Sequence, residues 1–558
     1  MKLRLKKKGS QVNLTKRNFL AQGGEGSVYV KDGIAYKIYT DPSKMIALQK
    51  IEELSKLTRI EVVKPDDVLL DSKGKQVGYS MRQVVDARAL CKIFTAAFKK
   101  RHGVNPNQIG KLVDNMRDVL QHIHSHRVLV VDLNELNLLI DKSMSSVMWI
   151  DVDSYQTPSF PATAIMASVK DHHSKSFSEM SDWFSFAVVT FQMWIGVHPY
   201  KGKHPKVKGM TERMKGNLSV FNKDVSVPRI CPPVDIIPPA YKTWYKNVLE
   251  DGERMPPPLV LGRSLAVPKV RAIISTDKLK ISELLSCDRE ILYFVELGSH
   301  RLSFTAGGLQ IGRLIHKDVD SSHRAGLGPK QSIVAVHIVN KCLRLRNLSA
   351  RSAIEIELAA DALMSYDGRV YCKSGDDICE IELMEMPSGK IRASARKVAS
   401  VMPESTRLFS GVVMQDMLGT WFASVFPAPG RSHQLRIPEL AGWKLVDARY
   451  DGRVLMIVGA RKGAYRRWVL ILKQDYSGYE CRETCDISYA GLNFVVLDTG
   501  VCAHLNEDEK LELFSNSIGS TQKKVVESSA LDAGMTLFKC GGSVAFSRGK
   551  KLYRLSTR

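Results

Sequence analysis

From residue 275 onward the sequence consists of short runs of β-branched and aromatic residues, each closed by a Gly, Asp, Asn or Ser turn. Ile291–Leu297, Ser332–Val339, Ile378–Leu383, Trp421–Val425, Val454–Val458 and Lys551–Leu555 are examples. Runs of this length and composition read as strands. Two turns are nearly identical: Tyr366-Asp367-Gly368-Arg369-Val370 and Tyr450-Asp451-Gly452-Arg453-Val454. Grouping the runs gives units of about 40 residues, the length of a four-stranded propeller blade, with about seven of them in residues 275–558. A unit that small cannot bury its own apolar face and must stack on its neighbours. The second half is therefore expected to be all-β, a β-propeller of about seven blades, with a pair of β-sandwiches as the alternative. No W-D dipeptide marks the blades, so the repeat is degenerate. Nothing in this half has the pattern of a catalytic serine turn, a zinc cluster or a coiled coil.

The whole chain has 558 residues, more than one ordinary core accommodates, so several domains are expected. At 44% hydrophobic and 25% charged it has the make-up of a folded globular protein. No apolar run reaches the length of a membrane span, and the N-terminus lacks the apolar stretch of a signal peptide. The ten cysteines include no C-x-x-C pair, which suggests free thiols in a reducing compartment and a cytoplasmic protein with no membrane partner. Net charge is +23, which favours contact with polyanions such as nucleic acid or an acidic protein surface. Lys2, Arg4, Lys6, Lys7 and Lys8 concentrate that charge, and residues 1–11 read as a solvated basic tail.

The chemistry lies in the first half. Asp132 and Asn137 stand five positions apart, and Ile150-Asp151-Val152-Asp153 follows after an apolar run and a turn. Phosphoryl transfer needs one carboxylate to take the hydroxyl proton, an amide oxygen on a metal ion and a second carboxylate bridging metal to phosphates. Upstream, Gly23-Gly24-Glu25-Gly26 interrupts a strand pattern and is followed by Val28, and Lys37 lies in the alternating segment Ala35–Tyr39. Glycines let backbone amides approach phosphate oxygens closely. Residues 42–57 read as a helix carrying Glu52 and Glu53. Segments 68–71 and 76–81 read as two strands, completing five, with a hinge near Met81–Asp86. Ile109, Leu112, Val113, Met116, Val119, Leu120 and Ile123 place a helix over 107–126. His122, His124 and His126 sit two apart, which does not bring ligands onto one helical face.

This order of motifs resembles the protein-kinase superfamily over about residues 12–260. Gly26-Ser27-Val28-Tyr29 matches the end of its glycine-rich loop, Asp132-x-x-x-x-Asn137 its catalytic loop, and Ser181-Asp182-Trp183-Phe184-Ser185-Phe186 its core helix. Within it the chain is most similar to a bacterial kinase-like family whose catalytic loop reads D-x-N-E-x-N and whose metal motif reads I-D-x-D-S. The resemblance implies an α+β bilobal fold, with an N-lobe over 12–86, a C-lobe over 87–253 and a proline-rich linker over 254–274 before the β domain at 275–558. It implies ATP as cofactor, held by Gly23, Gly24, Gly26, Val28 and Lys37, with Met81 at the hinge and Glu52 or Glu53 pairing with Lys37. Asp132 would be the catalytic base, and Asn137, Asp151 and Asp153 the candidates for Mg²⁺ or Mn²⁺. Asp182 would tie down the catalytic-loop backbone.

Four departures matter. Asn134 replaces the loop lysine that contacts the transferred phosphate, so that charge must come from elsewhere. Val131 stands where an arginine docks an activation-loop phosphate, Asp153 replaces the glycine of the metal motif, and no A-P-E sequence follows. The expectation is a Ser/Thr protein kinase whose β domain docks a protein substrate. The alternative is a pseudokinase: a nucleotide-sensing scaffold that holds nucleic acid or an acidic assembly on its basic surface.

Overall fold

In the computed structural model, which describes residues 1–162, 165–228, 230–258, 279–487, 491–532 and 534–557, the first eighty positions form one antiparallel sheet. Its strands are β1 (Lys2–Leu5), β2 (Gln11–Asn13), β3 (Phe19–Gln22), β4 (Gly26–Lys31), β5 (Ile34–Tyr39), β6 (Pro65–Leu70) and β7 (Gln76–Arg82), in the order β2-β1-β6-β7-β5-β4-β3. The five strands expected between residues 19 and 82 are present, and two more extend the sheet. The basic N-terminus is therefore not a solvated tail. Leu3 and Leu5 alternate with Lys2 and Arg4, and the leucines bury against Val12, Leu14, Tyr36 and Leu69 while the cations face solvent. The Asp67 carboxylate fixes the turn by accepting from the backbone amides of Lys7 (2.8 Å) and Lys8 (3.0 Å).

Between β5 and β6 the expected helix is shorter than its apolar stripe. Asp41 caps a single 3₁₀ turn at Pro42–Lys44, Met45 is extended, and α1 runs only over Leu48–Ser55. After β7 the chain turns helical: α2 (Ala96–Arg101), α3 (Pro106–Ser125), α4 (Glu179–Ile195), α5 (Met210–Lys215) and α6 (Pro239–Leu249). Asn105 and Gln108 form a reciprocal cap at the start of α3. Its periodic apolar residues are all buried against α4, which is itself buried on every side. No helix among the described residues is long and apolar enough to cross a membrane. All ten cysteines are free.

The second half holds seven four-stranded antiparallel sheets. In chain order they cover residues 291–316, 324–354, 362–400, 406–436, 444–484 and 494–526. The seventh combines 536–557 with the strand Leu279–Ser286. Each neighbouring pair shares an apolar cluster, from Leu302 and Phe304 packing on Ala325 and Ile333 round to Phe538 and Leu552 packing on Ile291 and Phe294. The seventh sheet thus packs on the first, and the seven form a closed ring. Pairing of Leu279 with Thr557 and of Ser286 with Lys551 fastens the two ends of the region together. The expectation of several domains with an all-β second half is met. Most of the proline-rich linker, from residue 259, lies outside the described residues.

The twin turns are not structural twins. Tyr366 pairs with Arg369 around Asp367-Gly368, whereas Asp451 pairs with Val454 around Gly452-Arg453, one residue later. In both, the two central residues have positive φ, the geometry of a tight hairpin. Asp451 is held outside its turn because its carboxylate accepts from the Val496 amide of the next sheet (2.7 Å).

The helical core does not stop at the end of the helical region. Val446, Val458, Ala460, Tyr465 and Ile487, from the fifth sheet and its exit, belong to the same apolar cluster as α3, α4 and α6. Lys201 reaches Asp486 (3.1 Å) and Lys203 reaches Asp508 (2.9 Å) across the same seam. A shared core couples the unfolding of its two sides. Calorimetry of the full chain should therefore show one main transition, and two well-separated peaks would contradict the coupling.

Candidate functional site

The loop at residues 126–137 is held by one carboxylate. Asp182, in the first turn of α4 and fully buried, accepts from the amides of Val130 (2.8 Å) and Val131 (2.9 Å). His124 from the end of α3 lies 3.0 Å from the same carboxylate, so the middle histidine of the 122–126 trio is structural. This is the role expected of Asp182. Val131 takes a left-handed conformation (φ 64°), which a β-branched residue adopts only where its surroundings impose it. That strained residue immediately precedes Asp132.

Asp132 is half-buried. Its Oδ1 accepts from the Met166 amide (2.8 Å), and burial raises its pKa above the ordinary carboxylate range against the pull of that bond. Asn134 turns inward and accepts from the Leu136 amide (2.9 Å), so it braces the loop instead of facing a substrate. Asn137 donates its amide nitrogen to the Asp132 carbonyl (3.3 Å), which leaves its side-chain oxygen as the acceptor. A hairpin of Leu138–Ile140 and Val147–Trp149 then carries the chain back to Asp151, itself left-handed (φ 63°).

Asp151 and Asp153 meet Lys37 of β5. The Lys37 ammonium donates to Asp153 (2.6 Å) and Asp151 (3.1 Å), with Glu25 at 3.9 Å. Burial alone would lower the lysine's pKa, but the two carboxylates outweigh it and raise it. Asp153 is buried and also accepts from the Tyr39 hydroxyl (2.5 Å), while its second oxygen has no partner among the described residues. Its pKa is lowered: burial works against that, and Lys37 and the tyrosine hydroxyls overcome it.

The partner expected from the helix is absent. Glu52 is exposed on α1, and Glu53 accepts from the Ser159 amide at 3.4 Å. The residue α1 sends inward is Lys50, whose ammonium donates to the Asp153 carbonyl (2.7 Å). Helical phase decides this, since Lys50 and Leu54 share the buried face.

Above these groups lies the glycine turn. Gly26 is buried opposite Tyr39, and a Cβ there would meet the Ile38 carbonyl oxygen at 2.2 Å, so only glycine lets β4 and β5 approach. Gly24 has open space around it, with its backbone free to face a ligand. Gly23, Gly24, Gly26, Val28, Lys37, Met81, Asn137 and Asp151 line one continuous cavity of about 2510 Å³. The oxygen donors that line it here, the Asp151 carboxylate and the Asn137 amide, are of the kind that suits a hard divalent cation. Among the described residues, no group of three or more His, Cys, Asp or Glu converges as a preformed metal cage.

The ring contributes to this site. Tyr465 donates its hydroxyl to Glu135 (2.8 Å), a buried residue of the same loop. Lys444, at the start of the fifth sheet, donates to the Leu136 carbonyl (3.3 Å), and its charge acts on Asp132. No local signal in the sequence links residues 308 positions apart. Lys50 and Tyr39 were likewise missed, since side-chain identity alone did not mark them. No protein-family model matches the chain, and no curated protein sequence matches it.

The Asp182→Asn substitution keeps the side-chain volume but replaces one acceptor oxygen with a donor. The loss of a charged, buried acceptor should cost about 3 kcal/mol. Urea unfolding at unchanged m would measure it, and a loss near zero would show that the loop does not rest on this carboxylate.

Proposed function

We propose that the chain is an ATP-dependent Ser/Thr protein kinase, with the first 258 residues forming the bilobal catalytic unit and the ring of seven sheets a β-propeller that docks the protein substrate. The observation that supports this reading is the contact of Lys37 with Asp151 beneath a glycine turn, with Asn137 lining the same cavity and bonded to the Asp132 carbonyl. In this reading Gly24 and Gly26 allow backbone amides to approach the phosphates, and Lys37 leaves its carboxylate partners in part to hold them. Asn137 and Asp151, with the free oxygen of Asp153, would hold Mg²⁺ or Mn²⁺, which neutralises charge on the phosphates when bound. Asp132 orients the incoming hydroxyl and accepts its proton. Lys444 supplies the positive charge that Asn134 does not, reaching the loop from the ring instead of from within it.

Two observations favour the second reading, a nucleotide-sensing scaffold for nucleic acid or an acidic assembly. Lys37 has no glutamate partner on α1, and Asp132 already accepts from the Met166 amide. Transfer of label from γ-labelled ATP to the chain or to a generic protein acceptor decides between them. Wild type should transfer, while Asp132→Asn and Asp151→Asn should lower transfer by roughly 100-fold or more. ATP binding without any transfer by wild type would establish the scaffold instead. Asp132 must be ionised to act as base, so the rate should fall on acidification. Its raised pKa places that fall above the ordinary aspartate value of about 3.9.

Lys444 has its own test. Lys444→Met should lower kcat by roughly 100-fold, leave the KM for ATP nearly unchanged, and be partly rescued by Lys444→Arg. An unchanged kcat would remove it from the site.

A further inference from the structure

Beyond the nucleotide cleft the cavity continues into the mouth of the ring, where the first strands of the first five sheets form its wall. Helix α2 covers that mouth. Lys100 reaches Glu290 (3.3 Å), and Ser321 donates to the Arg101 carbonyl (3.2 Å). Four cations enter the enclosed space from different directions: Lys92 and Arg101 from the helical side, Arg324 from the second sheet and Arg407 from the fourth. Among the described residues none of the four has a carboxylate within ion-pairing distance. Arg324 donates to the backbone carbonyls of Ser321, Ser322 and His323, and Lys92 lies over the Phe409 ring at 5.1 Å.

The four act on one another. Burial lowers the pKa of Lys92, Arg324 and Arg407, and the nearby arginines push Lys92 and Arg324 down further. His102 beside them is pulled down to about 4 by burial and then by Arg88, Arg101, Arg324 and Lys92. Asp447 attracts Lys92 and Asp416 attracts Arg407; of the other carboxylates on this wall, Asp361 pairs with Lys373 (2.9 Å) and Glu404 is exposed. Arg101 and Arg407 are open to solvent and Lys92 and Arg324 are half-buried, so all four are accessible to an anion that enters this space. Three guanidinium forks and an ammonium lining one space from several sides suit tetrahedral oxyanions.

We propose that this chamber binds a compact, multiply phosphorylated small molecule, held by Lys92, Arg101, Arg324 and Arg407. Convergence from several walls, under the cover of α2, favours a compact anion over a polymer, which needs a groove open at both ends. The inference does not depend on phosphoryl transfer at the nucleotide cleft. It gives the surplus of positive charge a specific location, inside the molecule as well as on its surface.

The test is calorimetric titration of the full chain with inositol hexakisphosphate and with tripolyphosphate near physiological salt. Wild type should bind at least one of them, more weakly as salt rises. The double variant Arg324→Gln/Arg407→Gln should bind at least tenfold more weakly, Arg407→Lys should retain most of the affinity, and Lys37→Met should bind as wild type does. A folded double variant that binds like wild type would overturn the proposal, as would the absence of binding by wild type. Loss of binding in Lys37→Met alone would assign the polyphosphate to the nucleotide cleft and also overturn it. A single-stranded oligonucleotide or an acidic peptide that binds more tightly than either probe, and is lost in the same double variant, would replace the small anion with a macromolecule.

Discussion

Much of this molecule rests on a carboxylate that water does not reach. Asp182 sits in the first turn of α4, where the free amides of a helix N-terminus already favour negative charge. From there it binds two consecutive amides of the loop before Asp132 and holds His124 at the end of α3. One side chain thus ties the end of α3 and the loop that follows it to α4, about fifty residues on. The left-handed conformation at Val131 is tolerable only because these bonds over-determine it. Beyond that residue the chain folds back on itself, and the side-chain amides of Asn134 (3.1 Å) and Asn137 (3.3 Å) both donate to the Asp132 carbonyl.

The same loop is also held from the opposite side. Glu135 and the Leu136 carbonyl face the ring and are bonded by Tyr465 and Lys444. The loop is thus clamped between α4 and the fifth sheet, and the apolar cluster beneath the clamp runs through both. Two structurally unlike regions of the chain share one core at the place where the candidate chemistry is concentrated. Docking of anything on the ring near the fifth sheet therefore bears on the geometry of Asp132 through bonded contacts, without a long route of transmission.

Local patterns were legible and distant ones were not. The strands of the ring and the helix α3 repeat their apolar residues at short, regular intervals, so each declares itself within ten or twenty positions. The order Lys37, Asp132, Asn137, Asp151 could be read as a pattern of residue types, and the fold brings Lys37 to Asp151 and Asn137 to the Asp132 carbonyl. The N-terminal hairpin was hidden by its own charge. Leu3 and Leu5 alternate as a strand requires, but five cations in the first eight residues read as a tail. Glu52 failed on helical phase, because α1 turns Lys50 and Leu54 inward and leaves Glu52 exposed. The twin turns failed on register: identical residues were placed one step apart by a bond from Asp451 to a neighbouring sheet. Lys444 and Tyr465 were beyond reach, since nothing near them in sequence speaks of residues more than 300 positions away.

The strand Leu279–Ser286 lies at the start of the β region and finds its partner at Lys551–Thr557, the last strand described. A chain made from its N-terminus therefore carries an open edge through the synthesis of nearly three hundred residues. The ring cannot close until the final strand has left the ribosome. The first 258 residues, with the glycine turn and the Asp132 loop, are complete long before that. Until residue 484 has been made the surface that will meet the fifth sheet is bare, and the edge at 279–286 stays unpaired longer still. Truncation before Lys551 would remove the closing strand and leave two exposed edges of β-structure, the arrangement most prone to pairing with other chains.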